Sequence, residues 1–116
     1  MAVKQKSKSI RLIEVPSEVG AGTRGASLGV DAIKIAALDF RSDFFKRYKS
    51  INIPHDNQAL HNNPGSRYAK HVRSLLKMYE RIGAAVRDTC RDGKFPLILS
   101  GDHSSAGGTI AGLKMA

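Results

Sequence analysis

Residues 100–105, Ser-Gly-Asp-His-Ser-Ser, set a carboxylate, an imidazole and three hydroxyls side by side behind the apolar run Leu97–Leu99. Those residue types serve two chemistries. A Ser–His–Asp relay needs members that converge in space, and neighbours on an extended backbone point apart, so Asp102, His103 and Ser104 do not form one. The G-x-S-x-G elbow that presents a nucleophilic serine is also missing. The other chemistry is metal binding, because a neutral imidazole at a strand end is a good ligand for Mn, Zn or Fe. Alternation turns Asp102 away from His103 and leaves it to hold the turn by hydrogen bonds, while Ser104 or Ser105 is placed to cap a following helix. Spacing alone leaves His103 with two readings, a structural histidine or a metal ligand.

A second motif, Gly20-Ala-Gly-Thr-Arg-Gly25, matches G-x-G-x-x-G. As a dinucleotide fingerprint it lacks its context. Pro16–Val19 separate it from the preceding strand, and Gly29 intervenes before the helix whose N-terminus should meet a pyrophosphate. The next strand ends in Pro54-His55-Asp56, too far along for the ribose-binding acid. A structural loop is the better reading. His55 and His61 fall in a polar loop and His71 at the margin of a helix, and none of the three reads as a ligand.

The elements that must position these motifs alternate. Ser9–Val15 is aliphatic and stopped by Pro16, so it reads as a strand. Val30–Phe40 repeats apolar residues at Val30, Ile33, Ala37 and Phe40, the spacing of a helix. Ser50–Ile53 is a short strand, and Pro54–Gly65 a long polar loop. Ser66–Arg91 is the clearest helix: Val72, Leu75, Leu76, Tyr79, Ile82, Gly83, Val86 and Cys90 share one side and charged residues the other, with Gly93 as its stop. Phe95–Leu99 is a buried strand, and a last helix opens near Ser104. This alternation predicts an α/β fold with a parallel sheet. In such folds ligands bind beyond the carboxyl ends of the strands, the edge that both motifs share.

With 116 residues, 41% hydrophobic and 25% charged, the chain is a soluble globular domain or part of one. It contains no apolar run long enough for a membrane helix, and the basic start MAVKQKSKS lacks the apolar centre of a secretory signal. The lone Cys90 excludes an internal disulfide and suits the cytoplasm. The net charge of +9 raises a nucleic-acid partner. The basic residues are spread out, with no aromatic stacking platform and no DNA-reading motif, so that partner is not favoured.

Gly20–Lys34 (GAGTRGASLGVDAIK) and Phe95–Ser104 (FPLILSGDHS) together resemble the arginase/agmatinase (ureohydrolase) family. The first resembles its glycine-rich opening loop, in the style of arginases, and the second its G-G-D-H-S strand-end motif, with Ser100 in place of the first glycine. The resemblance spans most of the chain. It implies that residues 1–116 are one partial domain, the N-terminal portion of a three-layer α/β/α sandwich with a parallel sheet. It also implies that His103 ligates one of two Mn2+ ions, with Gly101, Asp102 and Ser104 as structural members of the motif. In the family the ion pair lowers the pKa of a bridging water, and the hydroxide attacks a guanidinium carbon and releases urea. Arginine to ornithine and urea is the first reaction implied.

The family's D-x-H-x-D and D-x-D segments do not occur here. The catalytic and substrate-binding residues are therefore expected beyond Ala116, and one imidazole does not hold a binuclear centre. The chain alone is expected to be inactive. Its open sheet edge points to a homo-oligomer or to association with the missing C-terminal part. The alternatives are a non-catalytic family member acting in assembly or regulation and, behind it, a basic nucleic-acid-binding domain.

Overall fold

The computed structural model describes residues 9–116; residues 1–8, most of the basic N-terminal stretch, lie outside the described residues. Three strands form one parallel sheet: β1 (Ile10–Val15), β2 (Ser50–Asn52) and β3 (Phe95–Ser100), in the order β2-β1-β3. β1 is the central strand because its aliphatic residues are covered on both faces; Leu12 and Ile13 are fully buried. Pro16 follows β1 and brings no N–H for the ladder to continue.

The helices are α1 (Leu28–Asp39), α2 (Phe44–Arg47), α3 (Val72–Arg91) and α4 (Ala106–Met115). Residue alternation along β1 sorts them onto the two faces of the sheet. Ile13 and Val15, with Ile98 of β3 beside Ile13, pack against Met78, Ile82 and Val86 of α3. Glu14 points the other way and meets Lys34 of α1 at 2.6 Å. Burial alone would raise the Glu14 carboxyl, but hydrogen bonds from Lys34 and Ser50 outweigh it and hold the pKa below its ordinary value. The result is the α/β fold with a parallel sheet that the element pattern predicts, with helices on both faces. The chain runs from β1 out to β2, then back past β1 to β3, so β1 and β3 flank the point where the direction reverses.

α3 ends as its sequence predicts. Gly93 adopts φ 72°, its N–H donates to Cys90 O, and the Lys94 N–H donates to Thr89 O. That pair of bonds is a Schellman stop, and the left-handed residue in it favours glycine. The start differs from the expected Ser66. Ser66 Oγ accepts from the N–H groups of Tyr68 and Ala69, which offers the backbone a turn in place of a helix. His71 then takes a positive φ of 54°, and α3 begins only at Val72.

The buried face of α3 is also turned from the expected one. Met78 and Thr89 are buried, whereas Val72 and Leu76 are about half exposed. On an ideal helix this is a rotation of roughly 50°. α3 is shared between the sheet and α4, and α4 comes close through its glycines: a Cβ on Gly112 would lie 2.7 Å from Gly83 O.

Two other expectations shift, and one segment gains an element. α1 is helical but buries only Val30; Ile33 and Phe40 face outward with Ile35 and Leu38. A helix apolar on all sides is one built to be covered on all sides. The loop Pro54–Gly65 contains a 3-10 helix, Asn57–His61, and the segment 41–49 contains the short α2. Among the described residues no helix is long and apolar enough to cross a membrane.

Candidate functional site

The carboxyl ends of β1 and β3 lie side by side, and their outgoing loops leave for opposite faces of the sheet. Such a switch point is where open α/β sheets place ligands. Here the two loops are joined to each other. Gly101 N donates to Val15 O at 2.9 Å, which extends the sheet by one bond beyond the ladder. Asp102 then accepts on both carboxylate oxygens: Oδ2 from the Ala21 N–H at 3.0 Å, and Oδ1 from the Ser104 N–H at 2.9 Å and from the Ser104 hydroxyl. One side chain thus closes its own turn and ties it to the glycine loop. Gly20 allows the approach, because a Cβ there would lie 2.4 Å from Ser104 Cβ.

His103 opens a 3-10 turn, His103–Ser105, and is exposed. The serines do not cap α4. Ser105 stands at its N-cap without a capping bond, because its hydroxyl pairs with Ser100 Oγ at 2.6 Å, and Ser100 Oγ donates to Asp102 O at 2.7 Å. Ser100, where the family motif has glycine, therefore braces the turn from inside.

Two residues that sequence reasoning passed over organise the β1 side. Glu18 is fully buried, and its carboxylate accepts from the Gly25 N–H, the Ser27 N–H and the Ser27 hydroxyl, with Arg24 Nε at 2.6 Å. The loop's N–H groups, which a dinucleotide fingerprint would turn to a phosphate, are filled by the protein's own anion. Asn57 (2% exposed) clamps the same segment. Its Oδ1 accepts from Glu18 N at 2.8 Å and its Nδ2 donates to Pro16 O at 2.9 Å. The one available signal for Glu18 was an acidic residue between a strand-ending proline and a glycine loop rich in free N–H groups. Asn57 sat in a polar loop and gave none.

The hydrogen bonds from Ser27, above all its N–H, and from Gly25 and Arg24 hold the Glu18 carboxyl at about 2 against the opposing effect of burial. A depressed carboxyl pKa stabilises the fold fully above its unfolded value of about 4.3, and the contribution disappears as the pH falls through the folded value. Amide protection at Gly25 and Ser27 is therefore expected to decline between about pH 4.3 and 2. In Glu18→Gln, where an NH2 faces those N–H donors, protection should be low at every pH. Protection in the variant equal to the parent, by hydrogen exchange, would show that Glu18 does not organise the loop.

The described residues do not by themselves complete a two-metal centre. Among the described residues no three His, Cys, Asp or Glu side chains come together as a metal site requires. Asp102, next to His103, is committed to Ala21 and Ser104. His55, His61 and His71 lie on the segment before α3: His55 Nδ1 accepts from Asn57 N, and His71 is the N-cap residue just ahead of the helix.

The order of these motifs along the chain can be compared with known proteins. The family profile described as "Arginase family" matches residues 8–116. The chain belongs to the arginase family. It is 35% identical over 107 residues to the arginase of Bacillus subtilis (strain 168), covering 90% of this chain and 35% of that protein. With the arginase of Brevibacillus brevis the identity is 30% over 118 residues, covering 92% of this chain and 36% of the relative. The crystal structure of the Bacillus subtilis arginase superposes with a TM-score of 0.66 at 32% identity, over 90% of this chain and 33% of that one. The chain thus spans about a third of the length of the arginases it matches. Within the matched residues of this chain the glycine loop and the Gly101–Ser104 turn meet at one sheet edge.

Proposed function

We propose that this chain forms one wall of a ureohydrolase active site, where a guanidino compound, arginine first among them, is hydrolysed at a C–N bond to release urea. The observation that carries the reading is the Gly101–Ser104 turn, held by Asp102 against the glycine loop at the switch point of the sheet. In this reading His103 is the chain's contribution to a manganese pair, and Gly101, Asp102 and Ser104 fix the backbone beneath it. The remaining ligands and the groups that grip the substrate belong to further sequence. That sequence, or a second copy of the chain, would cover the open edge of β3 and the outward apolar side of α1. The cytoplasm is the compartment that suits the lone free Cys90.

In the full-length protein that carries this stretch, urea release from arginine, agmatine or another guanidino compound is expected to require Mn2+. His103→Ala should lower bound manganese and turnover by more than the roughly 10–100-fold that loss of an outer-shell partner costs. Unchanged metal content and turnover would remove His103 from the site. A second reading, a non-catalytic family member acting in assembly or regulation, is favoured by the outward apolar side of α1, which suits a covering partner. It expects no Mn2+-dependent urea release from any form of the protein.

A further inference from the structure

Because the strands are parallel, their amino ends also gather at one edge, opposite the Gly101–Ser104 turn. A groove of about 590 Å³ opens there, lined by Arg11, Arg47, Lys49 and Lys94, with Ile10 and Ile51 among its walls. Among the described residues no carboxylate lines it. Two carboxylates stand behind the arginines and orient them: Asp92 Oδ2 takes Arg11 Nη1 at 2.8 Å, and both Asp43 oxygens take Arg47 Nη2 at 3.0 Å. Each guanidinium keeps further N–H donors beyond the nitrogen its aspartate occupies, and a guanidinium held in place loses less freedom on binding an anion. Among the described residues Lys49 and Lys94 have no carboxylate at ion-pair distance. Four cations therefore converge on one concavity with two of them uncompensated.

We propose that this groove binds a small ligand carrying two or more phosphate groups. Arginine forks and lysine ammoniums are the donors that phosphate oxygens favour, and converging positive potential in a cleft concentrates anions. The groove has the size of a small-molecule site. A nucleic-acid track would need free aromatic faces, and the Tyr48 ring is tilted against Phe44 at a centroid distance of 5.0 Å. Ile10 and Ile51 offer apolar contact to whatever part of the ligand bears the phosphates. This assignment is independent of the reading of the carboxyl edge.

Calorimetric titration of the chain with sodium tripolyphosphate at low salt tests it. Saturable binding is expected, reduced at least about tenfold in Lys49→Gln/Lys94→Gln as two charge-assisted contacts are lost. A control pair on the outer face of α3, Arg73→Gln/Lys77→Gln, makes the same change in net charge and should stay within about twofold, since long-range effects of exposed charges are weak and screened. Absence of saturable binding overturns the proposal, as does an equal loss in the control pair. Tighter binding of a single-stranded oligonucleotide, sensitive to Lys49 and Lys94 and competed by tripolyphosphate, would overturn the small-ligand assignment in favour of nucleic acid.

Discussion

Gly101→Ala is expected to be among the most damaging single substitutions in the chain. A Cβ at this position would lie 2.4 Å from Ser17 O, 3.3 Å from Ser17 C and 3.5 Å from Pro16 C. All three are backbone atoms, and their segment is clamped by Asn57 through Pro16 O and Glu18 N. No side chain can swing away to make room. Moving β3 outward would instead break the Gly101–Val15 hydrogen bond and pull Asp102 from Ala21. The expected cost is about 3 kcal/mol, the upper end for overpacking. Gly29→Ala is the matching control, because nothing lies within 4 Å of a Cβ there and its φ is not positive. As an exposed helical position it should be neutral or gain up to about 1 kcal/mol. Urea midpoints of the two variants decide the matter: equal midpoints would mean that the close approach of β3 to the Pro16–Ser17 segment does not constrain the fold.

Ile82→Ala should cost about as much by the opposite route, a cavity. Ile82 is fully buried among Ile13, Val15, Met78 and Val86. Above it lies the backbone of α4, since a Cβ on Gly108 would sit 3.0 Å from Ile82 Cβ. Sheet and helix both resist collapse, so the loss falls in the range of about 2–5 kcal/mol for buried Ile→Ala. At about 3 kcal/mol, Tm would drop by roughly 12 °C. Leu76 belongs to the same apolar pattern in the sequence but is 54% exposed, and Leu76→Ala should stay within about 0.5 kcal/mol. Similar losses at the two positions, measured by thermal unfolding, would place the core of α3 where the sequence pattern put it.

That pair of leucine and isoleucine shows where reading a sequence stops. Apolar spacing reveals that a helix has an apolar side, and α3 does. How the side is divided depends on its neighbours: the sheet side buries Met78 with Ile13, Val15 and Ile53, while α4 approaches Tyr79, Gly83 and Val86 through its glycines. The helix start was missed for a different reason. Ser66 Oγ competes locally for the N–H groups of Tyr68 and Ala69, an effect that hydrophobic periodicity does not register.

The strands, the stop at Gly93 and the alternation that makes an α/β fold were legible because each rests on short-range chemistry: a proline without a donor, a glycine at positive φ, a period of two or of 3.6. The two motifs and their place at the carboxyl edge followed from the same patterns. What only the tertiary structure decided is which polar groups meet. Glu18 fills the glycine loop, Asn57 reaches its segment from 39 residues away, and Asp102 crosses 81 residues to Ala21. Such bonds are set by the order in which strands pair, and nothing in the composition of either partner announces the other. The sequence by itself determined which residues stand at the tip of β3. Folding determined that Asp102 is the latch of that tip, because β3 lies beside β1 and brings its turn within hydrogen-bonding distance of the glycine loop.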